Sequence, residues 1–301
     1  MADHLPKQHE AYNLKVYKRC LEKIKTTNCW AGISVPTLNN WLTNFETEEE
    51  KFLAYRVLDL LIYRSEPHIH SLLKSLFYQT VPSVLYRNGY DLVRIRELIQ
   101  GLAKRRGQLK IVLNVDNNDL TGSATELGRR IKTLFRVDES NLIGLSRVKR
   151  LPDSCVFIVI DDFCGTGNQI TKAISKKMAG TNKEVYLCPL ITHSKAKTKI
   201  TDDLISKSIV RDLETAETID EKYNIFSPES KSFKWNGRSF HNKYKGIYES
   251  LLERKLPGIS NKFKYGYEEQ SLIFSFHYRC PNNCVPIIWY TDDGWSPLIR
   301  H

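Results

Sequence analysis

Residues 156–168 read Val156-Phe157-Ile158-Val159-Ile160-Asp161-Asp162-Phe163-Cys164-Gly165-Thr166-Gly167-Asn168. The first five are apolar without interruption, which is typical of a strand that is buried on both faces. The segment 169–178 then carries apolar residues at 170, 173, 174 and 178, which is a helical spacing. The sequence therefore predicts a strand, an acidic pair, a glycine-rich turn and a helix, in that order.

The glycine-rich turn predicts an anion site. A turn of this kind before a helix directs backbone N–H groups and the positive end of the helix dipole at one place, which attracts phosphate. The carboxylates of Asp161 and Asp162 cannot bind phosphate, so we expect them to accept hydrogen bonds from sugar hydroxyls or to face a metal ion. The alternative is a unit without a ligand, which would leave two adjacent carboxylates without partners at a cost in free energy.

Two families with a similar turn fit less well. A dinucleotide-binding turn, G-x-G-x-x-G, requires a third glycine where Ile170 stands. A methyltransferase turn requires a first glycine where Phe163 stands, and an acidic residue after the next strand, where Thr192 and His193 follow. A missing glycine is a steric objection, because other side chains restrict the backbone that glycine permits.

The stretch resembles the 5-phosphoribosyl-1-pyrophosphate (PRPP) motif of type I phosphoribosyltransferases, in which apolar residues, two acids and three further residues precede Thr-Gly. The resemblance implies that Asp161 and Asp162 are catalytic residues that bind the ribose 2′- and 3′-hydroxyls. It also implies a PRPP-binding loop that holds the 5′-phosphate, with Mg²⁺ as a cofactor that the substrate carries and no direct protein ligand. The implied loop consists of Phe163, Cys164, Gly165, Thr166, Gly167, Asn168 and Gln169.

The same resemblance implies two further loops around the site. Thr121, Gly122 and Ser123 stand where the family binds pyrophosphate, at the start of a predicted helix that suits an anion. A mobile loop contains Arg147, Lys149 and Arg150, whose cations could stabilise a departing pyrophosphate. The alternatives are a plain turn at Gly122 and solvent-facing charge in the basic segment.

The C-terminal segment 280–289, Cys-Pro-Asn-Asn-Cys-Val-Pro-Ile-Ile-Trp, extends the resemblance. With 295–298 it is similar to the C-terminal signature of divergent phosphoribosyltransferase-like proteins of bacterial conflict systems. This implies an antiphage-defence effector, such as one encoded beside a reverse transcriptase in some retrons. Asn282 and Asn283 would then belong to a hood over the sugar 1-position, and the alternative is a surface turn.

The order of elements predicts the fold class. Apolar runs at 111–115, 141–145, 156–160 and 185–191 alternate with helical segments, which indicates a parallel sheet with ligands at the strand C-termini. We predict an α/β fold in which a parallel-sheet type I phosphoribosyltransferase-like core, with the C-terminal hood, spans 106–301. A helical N-terminal module, without strands, precedes it over 1–105. A helix is expected over 202–222 and a strand over 271–278.

The charge and composition of the chain indicate which classes of partner it could bind. The 301 residues carry a net charge of +11, which favours polyphosphates, nucleic acid or a reverse-transcriptase complex. Lysines and aromatic residues interleave over 231–264, which suits single-stranded nucleic acid or an ordinary surface over a core. No apolar run could span a bilayer and no signal segment is evident, so a cytoplasmic protein is expected. Zinc at Cys280 and Cys284 would need two more ligands.

Three functional hypotheses follow from the sequence. The first is an enzyme that binds PRPP or a related phosphoribosyl nucleotide with Mg²⁺ and displaces a group at ribose C1. The second is a nucleotide sensor on the same fold without chemistry. The third is a module that binds nucleic acid.

Overall fold

The computed structural model describes residues 5–114, 123–178, 180–231, 237–291 and 294–299. It divides the chain into two compact units. The first unit combines the two ends of the chain, 1–69 and 220–301, and the second is the continuous segment 70–219. The sequence-based ranges, 1–105 and 106–301, follow chain order instead, and that division stays a prediction.

The first unit joins N-terminal helices to the C-terminal tail. A short parallel pairing links its two strands, from Ile62↔Phe274 to Arg64↔Phe276. The indole Nε1 of Trp41 donates a hydrogen bond of 2.6 Å to the backbone oxygen of Ile287, in the core of this unit. Its elements are α1 (Leu5–Lys25), α2 (Val35–Leu42), α3 (Glu48–Leu60), β1 (Ile62–Arg64), α10 (Gly237–Lys255) and β10 (Phe274–Phe276).

The predicted helical character of the N-terminal part is confirmed, but the expectation that 1–105 contains no strand is wrong at β1. Helix α3 begins at a capping box, in which Thr47 and Glu50 bond each other's backbone N–H groups. It ends at Leu60, and Ile62 continues into the strand rather than along the helix face. The strand partner lies more than 200 residues further along the chain, so local apolar spacing could not reveal it.

The second unit is built on a five-stranded parallel sheet in the order β3-β2-β4-β6-β8, which confirms the predicted α/β class. The helix α4 (Glu66–Ser75) crosses from the first unit into the second. Before the sheet come a π-helical turn (Leu76–Thr80), α5 (Val81–Arg87) and α6 (Leu92–Gly101). The sheet and its connections follow as β2 (Leu109–Leu113), α7 (Ser123–Phe135), β3 (Leu142–Gly144), β4 (Val156–Ile160), β5 (Phe163–Cys164), α8 (Asn168–Met178), β6 (Glu184–Leu187), β7 (Ile191–His193), α9 (Ser194–Ile200), β8 (Asp212–Leu213) and β9 (Glu217–Ile219).

The strand predicted over 185–191 is two strands in different sheets. The strand β6 pairs with β4, whereas β7 is the middle strand of a second parallel sheet in the order β5-β7-β9. Between them, Cys188 N donates to Val159 O at 2.8 Å, and Pro189 has no N–H to continue the ladder. The chain therefore crosses from one sheet to the next at Pro189.

The helix predicted over 202–222 is also wrong. The π-helical turn Thr201–Ile205 is followed by Ser208 with φ +56°, a left-handed conformation that interrupts the helical chain. The strands β8 and β9 come next, and their buried residues Leu213 and Ile219 complete the two sheets. No described helix is both long enough and apolar enough to cross a membrane.

Candidate functional site

The acidic pair lies at the carboxyl end of β4, the central strand of the five-stranded sheet. Every residue of β4 is buried. Asp161 is half-buried, and the side chain of Asp162 is 0% exposed. Their backbone oxygens accept hydrogen bonds from Leu190 N at 2.9 Å and Ile191 N at 3.2 Å. The segment that leads into β7 thus fixes the backbone of both aspartates.

The two carboxylates differ in what they can do. Asp162 N donates to the Oδ1 of Asp161 at 3.0 Å, and both aspartates have further interactions within the protein. Because Asp161 is partly open to solvent and Asp162 is not, Asp161 is the one that can reach a ligand hydroxyl directly. The buried Asp162 is suited to orienting its neighbour.

The first residues of the implied phosphate loop form a strand. Phe163 and Cys164 make up β5 and pair in parallel with Ile191 and Thr192 of β7. The turn proper is therefore shorter than the sequence indicates and runs from Gly165 to Gly167, because Asn168 begins α8. The part of Phe163, Cys164 and Gln169 in phosphate binding stays a prediction.

Gly167 is the residue on which the turn geometry depends. Its φ of +81° lies in the left-handed region, and an added Cβ would stand 3.2 Å from Ala196 O and 3.3 Å from Ala196 Cα. Its backbone oxygen accepts a hydrogen bond from Thr171 N at 2.9 Å and so closes the first turn of α8. Glycine satisfies both the conformation and the close approach.

Two backbone donors of the turn are not used by the protein. Within the described part of the chain, the N–H groups of Thr166 and Gly167 donate to no protein acceptor. Asn168 N has a long hydrogen bond of 3.4 Å to the Thr166 hydroxyl. Unpaired N–H groups at the start of an eleven-residue helix form a favourable position for an anion.

The thiol in the loop is not a nucleophile. Burial, and after it the charges of Asp161 and Asp162, hold the pKa of the Cys164 thiol well above its usual range. The thiol therefore stays protonated at neutral pH, and a protonated thiol is unreactive.

Sequence reasoning missed the end of β7. Thr192 and His193 are both 0% exposed, and the Thr192 hydroxyl bonds that of Thr215 at 3.2 Å. Nδ1 of His193 accepts a hydrogen bond from Lys195 N at 3.2 Å and so caps α9. Because Cys164 pairs with Thr192, His193 follows in register beside the turn. No motif marks this position, and only the splitting of the predicted strand reveals it.

One comparison identifies the family. The PRTase-CE family model, in which PRTase denotes phosphoribosyltransferase, matches residues 38–301. The chain belongs to the PRTase-CE family. No curated protein matches it. The predicted phosphoribosyltransferase-like character is thereby confirmed, and the match extends from α2 through both units.

The structure describes only one of the two other predicted loops of this PRTase-CE chain in full. Thr121 and Gly122 lie outside the described residues, and Ser123 begins α7. The basic segment is a 3₁₀ helix, Leu145–Arg150, rather than a loop, because Leu145 and Val148 turn into the core. Its cations Arg147, Lys149 and Arg150 are exposed. They follow the edge strand β3, which β2 separates from β4, so their role as a mobile loop stays a prediction.

The Pro-Asn-Asn segment of the PRTase-CE chain is a tightly held turn in the first unit. Backbone oxygens of Asn282 and Asn283 accept hydrogen bonds from Tyr267 N at 2.7 Å and Leu272 N at 3.2 Å. Gly266, with φ +75°, lies so close that an added Cβ would stand 2.1 Å from Asn283 O. The side chain of Asn282 is exposed and that of Asn283 is buried. Their role as a hood stays a prediction.

The cysteines beside this turn show no metal site. Cys280 and Cys284 are both buried, and their Sγ atoms approach Phe274 O at 3.4 and 3.0 Å. Across the described residues, no group of three or more His, Cys, Asp or Glu side chains is arranged to hold an ion.

The interleaved lysines and aromatic residues of 231–264 mostly cover the core of the first unit. Tyr244 and Tyr248 are fully buried. Lys243 lies 3.7 Å from Glu49, and Lys255 pairs with Glu46. This part of the chain thus resembles an ordinary paired surface more than an open nucleic-acid interface.

Proposed function

We propose that this PRTase-CE chain is an enzyme of the phosphoribosyltransferase type. It would bind PRPP or a related phosphoribosyl nucleotide together with Mg²⁺ and displace the group at ribose C1. The observation that carries the proposal is that two features occur in the same β4–turn–α8 unit. One is the N–H groups of Thr166 and Gly167, which have no protein acceptor among the described residues, and the other is the half-buried carboxylate of Asp161. One end of the site suits a phosphate and the other suits a sugar diol.

Each group has a role in the proposed reaction. The turn amides and the dipole of α8 hold the 5′-phosphate, and Asp161 accepts hydrogen bonds from ribose hydroxyls while Asp162 orients it. The half-buried carboxylate of Asp161 is an oxygen ligand of the type that Mg²⁺ accepts, which fits an ion carried mainly by pyrophosphate and water. When bound, the ion neutralises charge on the leaving pyrophosphate. With Cys164 protonated, C1 is attacked by the acceptor itself, through an oxocarbenium-like transition state.

The biological setting is part of the proposal. The C-terminal signature around Asn282 and Asn283 supports a role in antiphage defence, and the net charge of +11 is compatible with a nucleic-acid or reverse-transcriptase complex as partner. We expect such an effector to act in the cytoplasm. A phage challenge of cells that carry the protein with its neighbouring genes tests this role, and protection that survives Asp161→Asn contradicts it.

Calorimetry with PRPP and Mg²⁺, run beside a pyrophosphate-release assay, tests the enzyme. We expect wild-type protein to bind PRPP and to release pyrophosphate when offered bases, nucleosides or nucleic acid. Asp161→Asn should bind about 10–100-fold more weakly, because a hydrogen bond to a charged group contributes about 1.5–3 kcal/mol. Binding without release from any acceptor would favour the nucleotide sensor. Absence of binding by the wild type would overturn both.

A further inference from the structure

Two short helices beside the turn carry positive charge without any negative charge. Together α8 and α9 contain six lysines and no acidic residue, and the net charge of the whole chain is +11. These lysines are Lys172, Lys176, Lys177, Lys195, Lys197 and Lys199. Six positive charges therefore lie on the two helices that flank the candidate phosphate turn.

Four of these lysines lie on the two helices next to the turn, and we call them the lysine face: Lys172, Lys176, Lys195 and Lys197. All four are exposed. Lys195 and Lys197 stand on either side of Ala196, whose backbone packs against Gly167. Lys172 and Lys176 are four residues apart on one side of α8, about 6 Å along its axis. The charge thus continues from the turn along both helices.

Three members of the lysine face are not neutralised by an acidic neighbour. Lys199 pairs with Asp203 at 3.0 Å, and in the first unit Lys243 and Lys255 pair with glutamates. Among the residues that the structure describes, Lys172, Lys176 and Lys197 have no acidic partner. These three charges are therefore available to an external polyanion.

We propose that the lysine face binds the phosphate backbone of a single-stranded nucleic acid whose unpaired end lies beside the phosphoribosyl group held in the turn at Gly165–Gly167. Lysines act as point charges that contact phosphates without reading sequence. The choice of a single strand rests on the proposed function, because an acceptor that attacks ribose C1 must present an unpaired nucleotide. The acceptor, or the activating ligand, of the proposed reaction is then a polynucleotide rather than a free base.

The test measures fluorescence anisotropy of a labelled 20-nucleotide single strand over a series of salt concentrations. In the full-length protein, Lys172→Ala, Lys176→Ala and Lys197→Ala are combined. We expect weaker binding and a slope of log K against log salt that is smaller by about 2, since each phosphate contact in a single strand contributes about 0.7. The control combines Lys15→Ala, Lys18→Ala and Lys25→Ala on α1, which removes the same charge from exposed positions and should leave the slope unchanged.

Several results would overturn the inference. They are an unchanged slope in the α8–α9 variant, an equal fall in both variants, tighter binding of duplex, or no binding by wild-type protein at low salt. Calorimetry with PRPP on the same variant separates this result from the proposed function. PRPP affinity should persist there, because none of the three lysines belongs to the turn, whereas Asp161→Asn tests the pocket itself.

Discussion

Two adjacent aspartates with the same chemistry have different surroundings. Asp161 is half-buried at the carboxyl end of β4, and Asp162 is 0% exposed and interacts further inside the protein. An amide of the same shape changes little at a partly solvated position but cannot replace every acceptor at a buried one. The pair should therefore separate into a ligand-binding residue and a positioning residue.

We expect Asp161→Asn to reduce pyrophosphate release at least tenfold with an unchanged free energy of unfolding. Asp162→Asn should reduce the free energy of unfolding by about 1–3 kcal/mol, because buried partners lose a charged acceptor, and reduce activity as well. Thermal unfolding and the release assay measure the two effects. Equal stability losses in the two variants would contradict the separation.

Gly167 allows a matched test of the turn, because Gly180 has a similar left-handed backbone. Their φ values are +81° and +72°, but only Gly167 has a neighbour, the Ala196 backbone, within reach of an added Cβ. Gly180→Ala should cost about 1–2 kcal/mol for the left-handed backbone alone. Gly167→Ala should cost more and also weaken PRPP binding measured by calorimetry. A PRPP affinity unaffected by Gly167→Ala would mean that the turn does not bind the phosphate.

At the scale of elements, the unit β4–turn–α8 is predictable because its signals are local. Five apolar residues specify a strand, and the apolar spacing after Asn168 specifies a helix that begins one residue before the predicted segment. The split between β6 and β7 is not predictable in this way. The apolar run 185–191 would look the same whether it formed one strand or two, because its residues are buried in both sheets.

The split between β6 and β7 places His193 beside the turn. The cap that His193 provides to α9 can be tested. His193 caps α9, whose Ala196 backbone packs against Gly167. His193→Ala should weaken the cap by about 1 kcal/mol and raise the PRPP Kd, because the wall of the turn loosens. His193→Asn should restore both values, since asparagine is a good cap. Failure of asparagine to restore PRPP binding would show that the imidazole acts other than by capping.

At the scale of the whole molecule, the first unit is closed by contacts between the chain ends. Asn44 Nδ2 donates to Ser296 O at 2.8 Å, and Ser296 N donates back to Asn44 Oδ1 at 3.0 Å. Trp41 reaches Ile287 across 246 positions of sequence. Composition and periodicity report only neighbouring residues, so they could indicate the helices but not their joining to the tail. The second unit, being continuous in sequence, was more accessible to prediction.

This difference predicts how the chain responds to truncation. Removal of residues 270–301 deprives β1 of its partner β10 and leaves the buried indole of Trp41 without its acceptor. We expect hydrogen exchange in α2, α3 and β1 to become fast, while β2, β4 and β6 keep their protection because their partners lie within 70–219. Trp41→Phe in the full chain, which removes only the N–H donor, should accelerate exchange in α2 modestly. Continued protection of β1 after truncation would show that the first unit does not need the tail. Equally fast exchange in β4 would show that the second unit depends on the first. Either result would mean that the two units are not the cooperative units of folding.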